Sequence, residues 1–257
     1  SDPSLTATIE PANATIDAEG FTVTYDATAH YITYSGTGVN GESLDGYIDI
    51  IGDSFTNAGS YRSYWFFSHP QGNYYPLEGT VDSTINQAMI TVTADAQYKT
   101  YGDSDPALTY QITSGMLYGS DGLTGELDRA RGDYVGSYTI NQHSLASSEN
   151  YSLSFVTSTL TINKRAITVS AVSTTKTYDD TVTASGTPTI TFGSLAGSDT
   201  AYFTQSFANR HAGSAKEVVP TGYVDDGNSG LNYEIQFDSA NVGTINQKSL
   251  TIAAVAS

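Results

Sequence analysis

The chain of 257 residues contains no cysteine, and charged residues make up only 14% of it. Without thiols, disulfide bonds, thiolate catalysis and cysteine-ligated zinc sites are excluded. Basic residues are scarce: 10 Lys and Arg stand against 27 Asp and Glu, which gives a formal net charge of −17. This balance repels phosphate backbones and anionic membrane surfaces, so we expect neither nucleic acid nor a lipid surface as a partner.

Long apolar runs are also missing. No run approaches the roughly 18–20 residues that span a bilayer, so we expect no membrane insertion of this segment. The polar opening Ser1-Asp2-Pro3-Ser4 does not have the character of a signal peptide. We therefore expect the sequence to be an internal piece of a longer protein.

What the sequence does contain is a repeat. A nine-residue ending recurs from Thr84, Thr161 and Thr244, at spacings of 77 and 83 residues (161 − 84 and 244 − 161). An opening Tyr-Asp or Tyr-Gly-Asp element, a Gly-Ser element and an Asn-Tyr pair precede each ending in the same order. These are Tyr25-Asp26, Tyr101-Gly102-Asp103 and Tyr178-Asp179-Asp180; Gly59-Ser60, Gly136-Ser137 and Gly213-Ser214; Asn73-Tyr74, Asn150-Tyr151 and Asn232-Tyr233. Four ordered markers indicate three diverged copies of one unit, in which the repeated tyrosines are structural.

Each unit has the pattern of β structure. Met89–Ala94, Ile167–Ala171 and Leu250–Ala253 alternate apolar and small polar residues, and no window of 11 or more residues has a helical period. A unit of roughly 77 residues with six or seven short strands is typical of a small sandwich. We therefore predict an all-β fold of three tandem small β-sandwich-like repeat domains. Because the connections between them are very short, we expect an extended rod.

The markers also predict where the repeats begin and end. The first repeat covers residues 1–87, the second 88–164 and the third 165–247. Residues 248–257 have the pattern of the opening strand of a truncated next repeat. The first repeat is the most divergent of the three.

Two of the units contain motifs of known repeat families. These are Tyr101–Tyr110, Leu123-Thr124-Gly125, Val135–Tyr138 and Asn150-Tyr151 in the second unit, and Lys176–Asp180 and Gly230–Tyr233 in the third. With them, the second unit resembles the MBG-type repeat of large bacterial surface adhesins in its YGX form, and the third is similar to the related YDG-type repeat. Asp180 stands where the YDG family usually has glycine.

The resemblance implies a function. Such repeats form non-catalytic stalk or spacer segments of secreted bacterial adhesins, which act in cell adhesion and biofilm formation. It implies an extracellular location at the bacterial cell surface. The partners would be adjacent repeats of a longer adhesin chain, and we expect a monomer.

The sequence argues against an enzyme. Gly52-Asp53-Ser54 looks like the serine block of GDSL-type hydrolases, which also need a histidine base held by an aspartate three residues before it. None of the four histidines has an aspartate at that position. The segment that contains it, Ile51–Gly59, also aligns with the Gly-Ser-Tyr element of the other repeats.

Calcium is the one cofactor that the sequence allows. Asp225, Asp226 and Asn228 place alternating oxygen donors on a glycine-rich turn, as sites for hard cations require. The glutamate at position 12 of an EF-hand loop is missing, and the alternative is a hairpin turn rich in Asp and Asn. Both interpretations stay open at this point.

An aromatic stretch in the first repeat supports an alternative function. Tyr64, Trp65, Phe67 and Tyr75 belong to the densest aromatic segment of the chain. A strand there would put alternate residues on opposite faces, so one set packs in the core and the other is available. The alternative is therefore a carbohydrate- or protein-binding module, with a glycan or a surface protein bound on this strand.

Overall fold

The fold was analysed in a computed structural model, which describes residues 8–253. Its regular structure is β strand apart from one 3-10 turn at Asp45–Tyr47, which confirms the all-β prediction. Residues 1–7 of the first predicted repeat and residues 254–257 of the predicted next opening strand lie outside the described residues. The extended-rod arrangement stays a prediction.

The described part of the first repeat, residues 8–87, contributes eight strands. The longest two, β7 and β8, form an antiparallel pair, and the aromatic stretch lies on β7 as predicted. The strands are β1 (Thr15–Glu19), β2 (Thr22–Thr24), β3 (His30–Tyr31), β4 (Thr33–Thr37), β5 (Ile48–Ile51), β6 (Ser54–Phe55), β7 (Gly59–Phe67) and β8 (Leu77–Asn86).

The second repeat contributes seven strands, and the alternating segments after Ala88 and Gly136 are strands as expected. They are β9 (Ala88–Ala94), β10 (Gln97–Thr100), β11 (Tyr110–Ser114), β12 (Asp128–Arg129), β13 (Gly136–Asn141), β14 (Tyr151–Val156) and β15 (Ser158–Asn163).

The third repeat contributes the last seven strands. They are β16 (Arg165–Ser170), β17 (Thr174–Thr177), β18 (Thr189–Phe192), β19 (Thr200–Phe207), β20 (Gly213–Asp225), β21 (Tyr233–Asp238) and β22 (Ala240–Asn246). Leu250–Ala253, predicted as the opening strand of a next repeat, are irregular in the described structure, and that role stays a prediction. Alternation alone does not form a strand, because its backbone N–H and C=O groups also need a partner strand.

The described chain divides into two compact units. The first contains the residues up to Ala94 together with Tyr110–Leu127 and Gln142–Val156. The sheet β2-β8-β7-β5 and the pair β1-β4 enclose one core in it, around Leu44, Ile48 and Phe67. The three-stranded sheet β11-β9-β14 also belongs to this unit, and its Ile90 packs with Ile85 of β8.

The second unit contains Asp95–Thr109, Asp128–Asn141 and the residues from Thr157 onward. Its sheets β18-β16-β21 and β17-β22-β20-β19 enclose a core that includes Val169, Phe203 and Val224. The sheet β10-β15-β13-β12 belongs to the same unit, and its Ile162 joins that core. Each unit therefore holds the sheets of one outer repeat and one sheet of the second repeat. The predicted repeat boundaries stay predictions.

Two joints between repeats lie inside these units. In the first unit a single residue, Gln87, separates β8 from β9, and in the second unit Lys164 alone separates β15 from β16. Connections of one residue leave little room for the two flanking strands to reorient independently. The contacts around these joints are consequently the part of the fold that bears on function.

Candidate functional site

The opening tyrosine of each repeat is held at the exit of its own repeat. The short strands β2, β10 and β17 run parallel to the last strand of each repeat, which is β8, β15 or β22. The tyrosine that follows each short strand donates its N–H to the carbonyl oxygen of the asparagine that ends the last strand. These bonds, each 2.9 Å long, are Tyr25 to Asn86 O, Tyr101 to Asn163 O and Tyr178 to Asn246 O.

At the joint between the first and second repeats, two tyrosines share one carboxylate. The hydroxyls of Tyr25 and Tyr151 donate to Asp121 Oδ2 at 2.8 and 2.7 Å. Their buried rings meet edge to face with centroids 5.4 Å apart. The N–H of Tyr118 donates to Tyr151 Oη at 2.7 Å. We call Tyr25, Asp121 and Tyr151 the first clamp, because Tyr25 comes from one repeat and the other two come from the next.

The asparagine before Tyr151 makes a second link across this joint. Asn150 Oδ1 accepts the N–H of Ala58 at 2.9 Å, and Asn150 Nδ2 donates to Asn57 Oδ1 at 3.2 Å. The carbonyl of Asn150 accepts the N–H of Ala88 at 3.0 Å. One asparagine therefore ties together the Gly-Ser element of the first repeat, the joint and the second repeat.

The second clamp has the same plan at the joint between the second and third repeats. Tyr233 Oη donates to Asp199 Oδ2 at 2.6 Å, and Tyr101 Oη lies 3.5 Å from Asp199 Oδ1. The rings of Tyr101 and Tyr233 meet edge to face at 5.6 Å. The N–H of Ala196 donates to Tyr233 Oη at 2.8 Å, as that of Tyr118 does to Tyr151 in the first clamp. We call Tyr101, Asp199 and Tyr233 the second clamp.

Asn232 has the role that Asn150 has in the first joint. Its Oδ1 accepts the N–H of Val135 at 3.0 Å, and its carbonyl accepts the N–H of Arg165 at 2.9 Å. The Arg165 guanidinium adds bonds to Tyr101 O at 2.8 Å and to Asp103 Oδ1 at 2.6 Å. The second joint therefore contains an ionic contact at a position where the first joint has Ala88.

A glycine in the opening element permits the close contact at the second joint. Gly102 has a φ of +83°, and a Cβ at this position would lie 2.3 Å from the Cβ of Ala196. In the third repeat, Asp180 has a φ of +65°, in the left-handed region that favours glycine. The departure from the YDG pattern thus keeps the backbone conformation of glycine, because aspartate is among the residues that tolerate it best.

Two of the three predicted calcium residues, Asp226 and Asn228, are hydrogen-bonded to Asn232. Asp226 is buried, and its carboxylate accepts the N–H groups of Asn228 and Gly230 at 2.8 Å and of Asn232 at 3.0 Å. Asn228 Nδ2 donates to Asn232 Oδ1 at 3.0 Å. Asp225 is exposed on the end of β20. The structure thus uses Asp226 and Asn228 to hold the asparagine of the second joint, and the calcium site stays a prediction.

The environment of Asp226 favours its charged form. Burial raises its pKa, but the hydrogen bonds from Gly230, Asn228 and Asn232 outweigh burial and leave the pKa below the usual value. Within residues 8–253, no group of three His, Asp or Glu side chains is arranged to hold a metal ion. The Asp226 carboxylate accepts backbone donors of its own loop.

The clamp tyrosines are protonated donors over a wide pH range. Burial raises the pKa of Tyr151 to about 12 and raises that of Tyr101, while the hydrogen bond to Asp121 raises the pKa of Tyr25. Burial also raises the pKa of Tyr233. A phenol that donates to an ionised carboxylate makes a strong, directional bond. Chemically, the clamps can bind and orient their neighbours.

The first repeat also contains the two clamp residues that the later repeat supplies at each joint, an acidic residue and the tyrosine of the Asn-Tyr pair. The hydroxyl of Tyr74 donates to Glu42 Oε1, and the N–H of Val39 donates to Tyr74 Oη at 3.1 Å. The carbonyl of Asn73 accepts the N–H of Ala12 at 2.8 Å. Glu42 thus replaces the aspartate of the two complete clamps. In all three repeats the carbonyl of the marker asparagine and the hydroxyl of the marker tyrosine accept equivalent backbone N–H bonds.

The predicted ligand residues are divided between surface and core. Tyr64 is 46% exposed and Tyr75 is also exposed, whereas Trp65 is half-buried over Gly79. Phe67 is only 1% exposed in the first core, so a ligand could not reach it without opening the sandwich. Strand alternation puts Phe66, 39% exposed, on the outer face beside Tyr64. Binding at Tyr64 and Tyr75 stays a prediction.

His30, on the strand that pairs with the hydrolase-like segment, does not face Ser54. Ser54 pairs with Tyr31 and the neighbouring Phe55 pairs with His30 in the two-stranded sheet, so Ser54 and His30 project from opposite faces. His30 Nε2 lies 3.0 Å from Asp26 Oδ1 instead. The absence of a catalytic role stays a prediction. Separately, none of the described residues forms a helix long and apolar enough to cross a membrane.

Sequence reasoning missed the acidic residues of the clamps. Asp121 and Asp199 each end a Gly-Ser-Asp triplet, Gly119-Ser120-Asp121 and Gly197-Ser198-Asp199. This triplet is a fifth ordered marker that a closer search for repeats would find. In the first repeat the equivalent turn, Asn40-Gly41-Glu42, keeps only the acidic side chain, so the triplet is visible only in two copies.

Comparison with known families identifies the two later repeats. A model of the MBG domain (YGX type) matches residues 90–161, and a model of the YDG domain matches residues 163–239. A search of curated proteins finds no significant match.

Two solved structures show distant likeness. The three N-terminal domains of the bacteriophage RB49 highly immunogenic outer capsid protein (Hoc) are 11% identical, with a TM-score of 0.25 and coverage of 92% of this chain and 99% of theirs. SGBP-B of the Bacteroides ovatus mixed-linkage glucan utilization locus, in complex with a mixed-linkage heptasaccharide, is 13% identical, with a TM-score of 0.17 and coverage of 92% and 71%. Likeness at these TM-scores carries no argument about function.

Proposed function

We propose that this chain, which belongs to the MBG (YGX type) and YDG tandem repeats, is a non-catalytic stalk segment of a secreted bacterial adhesin. It would be an extracellular monomer at the bacterial surface, serving cell adhesion and biofilm formation. Its partners would be adjacent repeats of a longer adhesin chain. A single observation carries the proposal: the same clamp occurs at both joints.

The chemistry of the clamp suits a spacer. Each clamp combines a hydrogen bond to a carboxylate with an edge-to-face ring contact, so it opposes both bending and twisting at the joint. The one-residue connections at Gln87 and Lys164 remove the slack that a flexible linker would supply. A series of such joints would keep its repeats in fixed register and transmit force from one repeat to the next.

Small-angle X-ray scattering of the 257-residue chain tests the spacer role. We expect a rod-like profile that is the same with calcium and with excess chelator. The reason is that the Asp226 carboxylate already accepts three backbone N–H groups and so needs no cation to balance it. A compact globule in both conditions would contradict the spacer. A rod that becomes flexible only on chelation would instead support a calcium-dependent stalk.

A binding module is the second candidate, and one observation favours it. Tyr64 and Phe66 form an exposed aromatic pair on the outer face of β7. Flat aromatic side chains at a surface suit contact with the apolar faces of sugars or with a protein. A glycan array with the wild-type chain tests this, with the Tyr64→Ala/Phe66→Ala double variant expected to lose any signal. The matched control is Tyr202→Ala/Tyr223→Ala, which removes an exposed aromatic pair on β19 and β20.

A further inference from the structure

The exit of the third repeat differs from the exits of the first two. Tyr178 follows β17 and bonds Asn246 O as the clamp tyrosines bond their endings. Its hydroxyl, however, donates to Asp180 Oδ1 of its own repeat at 3.0 Å, and its ring is only half-buried. Tyr178 thus has the position of a clamp tyrosine, but within residues 8–253 no acidic side chain of another repeat accepts its hydroxyl bond.

The segment after β22 shows the same difference in its apolar residues. Leu250 and Ile252 lie four and six residues after Asn246. At the same spacing after Asn86 and Asn163, the strands β9 and β16 each place two apolar side chains. Leu250 is 83% exposed and Ile252 is 85% exposed. Their four equivalents are at most 1% exposed: Ile90, Val92, Ile167 and Val169.

The two complete joints show what covers these positions. In each, the strand after the ending pairs in parallel with a strand that begins at the clamp tyrosine of the next repeat. These pairs are β9 with β14, beginning at Tyr151, and β16 with β21, beginning at Tyr233. The same neighbouring repeat therefore covers the apolar side chains and completes the clamp.

We propose that the exit face, defined as Tyr178, Ala212, Leu250 and Ile252, docks one further repeat of the same kind. That repeat would use residues 248–253 as its opening strand. Its carboxylate would accept the Tyr178 hydroxyl bond, and its Asn-Tyr pair would supply a carbonyl oxygen to the N–H of Ala212. Ala58 and Val135, equivalent to Ala212 before the Gly-Ser element, already donate to such asparagines. The inference rests on the proposed function, since it extends the same joint.

A second copy of this chain fits the exit face less well. Its first repeat also offers Glu42, Asn73 and Tyr74. However, Ala12 of that repeat already forms a parallel bridge with Tyr74, in the place that residues 248–252 would have to occupy. A repeat without its own opening strand leaves the position beside its Asn-Tyr pair free for residues 248–252. We therefore propose such a repeat as the partner of the exit face.

The test extends the full chain after Ser257 by a copy of its residues 175–247, which supplies Asp199, Asn232 and Tyr233. Hydrogen exchange read by mass spectrometry compares the original and extended chains. We expect protection at Ala212 and at residues 250–253 to rise by about 100-fold, because these amides become part of a packed joint. A second extension, a copy of residues 98–164 with Asp121, Asn150 and Tyr151, guards against failure of one fusion.

Variants separate docking from mere folding of the added repeat. Tyr178→Phe should lower protection at Ala212 by about tenfold in the extended chain, the loss expected for one hydrogen bond to a charged group. The same change should have less than about a twofold effect in the 257-residue chain, because there the hydroxyl bonds an exposed carboxylate. Asp199→Ala in the appended copy should abolish the effect of Tyr178→Phe. Tyr202→Phe, at an exposed tyrosine of the same repeat, is the matched control.

Three results would overturn the inference. One is an appended repeat that folds while Ala212 and Tyr178 show no change; another is that neither extension folds on the chain. The third is concentration-dependent self-association of the 257-residue chain that protects the exit face, which would assign it to a second copy. The first two results do not bear on the scattering test of the spacer, because that test uses the original chain and its two internal joints. Self-association of the original chain would also contradict the proposed monomer.

Discussion

The two clamps share one plan and differ in what holds them. In the first clamp both phenols donate to Asp121 Oδ2 at 2.7–2.8 Å, and the hydrogen bond to Asp121 is the main cause of the raised pKa of Tyr25. In the second, Tyr101 is 3.5 Å from Asp199, and burial is the main cause of its raised pKa. The opening tyrosine is thus held by a carboxylate in one joint and mainly by packing in the other.

The surroundings of the second clamp offset its longer hydrogen bond. Arg165 bonds the backbone of Tyr101, while Asp226 and Asn228 hold Asn232. The first joint has Ala88 in the place of Arg165. The difference teaches that the repeat preserves the joint while the interactions that stabilise it change between copies.

Removal of the shared carboxylate should have the largest effect. Asp121→Ala leaves two buried phenols without their acceptor, so we expect a loss of about 3–5 kcal/mol in the free energy of unfolding. Asp199→Ala removes one strong and one marginal bond and should cost about 2–3 kcal/mol. Urea unfolding, with hydrogen exchange to locate the weakened joint, measures both. Equal costs at the two joints would contradict the proposed difference between them.

The support around Asn232 should come next. Asp226→Ala leaves three backbone N–H groups of the loop without their acceptor, and we expect a cost of about 3 kcal/mol. Asp225→Ala is the matched control at the neighbouring exposed carboxylate, with an expected change within about 0.5 kcal/mol. If calcium held this loop, both variants would lose a calcium-dependent increase in stability, and chelation would mimic them.

Alkaline pH should weaken both joints. The folded pKa of Tyr151 is about 12 against an ordinary value of 10.0, so its contribution is fully present below about pH 10 and is lost as pH rises through 12. The loss from Tyr151 alone should reach up to about 3 kcal/mol. Absorbance at 295 nm, recorded with urea unfolding from pH 8 to 12, follows phenol ionisation and stability together. Clamp tyrosines that titrate with the exposed ones would contradict their burial.

Removal of single hydroxyls sharpens the comparison at the opening tyrosines. Tyr25→Phe deletes a 2.8 Å bond to a carboxylate and should cost about 1.5–3 kcal/mol. Tyr101→Phe deletes only a 3.5 Å contact and should cost less than about 1 kcal/mol. Both variants keep the ring, so its packing is the same in each. The opposite order would show that the carboxylate is not what distinguishes the two joints.

The arginine of the second joint should have the smallest effect. Arg165→Ala introduces the residue of the first joint, removes the bonds to Tyr101 O and Asp103, and should cost about 1 kcal/mol. Lys164→Ala, at the exposed neighbouring cation, is the control and should change stability by less than about 0.5 kcal/mol. High salt should reduce the Arg165 effect, because the pair with Asp103 is partly exposed.

Much of the fold could be predicted from the sequence, since strand alternation and repeat markers are local signals. The strands after Ala88 and Gly136 follow the pattern closely. Leu250–Ala253 follows the same pattern and is irregular, because pairing depends on a neighbour that alternation does not encode. The division of the second repeat between two compact units was equally invisible, since it depends on which sheets share a core.

The candidate site was predicted only in part. The repeated tyrosines and asparagines were recognised as structural, and they are the residues that form the joints. Asp121 and Asp199 were missed, because a Gly-Ser-Asp sequence is typical of an exposed turn whether or not its carboxylate bonds to another repeat. The sequence around Asp226 left a calcium site and a hairpin turn both open, because a carboxylate that accepts backbone N–H groups has the local sequence of one that binds an ion.

A double-mutant cycle on Tyr25→Phe and Asp121→Ala tests the central claim most directly, because the two residues come from different repeats. If the clamp joins the first repeat to the second, the two changes should couple by at least about 1 kcal/mol in urea unfolding. Effects that add within about 0.3–0.5 kcal/mol would contradict the claim, since they would mean that Tyr25 and Asp121 stabilise their own repeats independently.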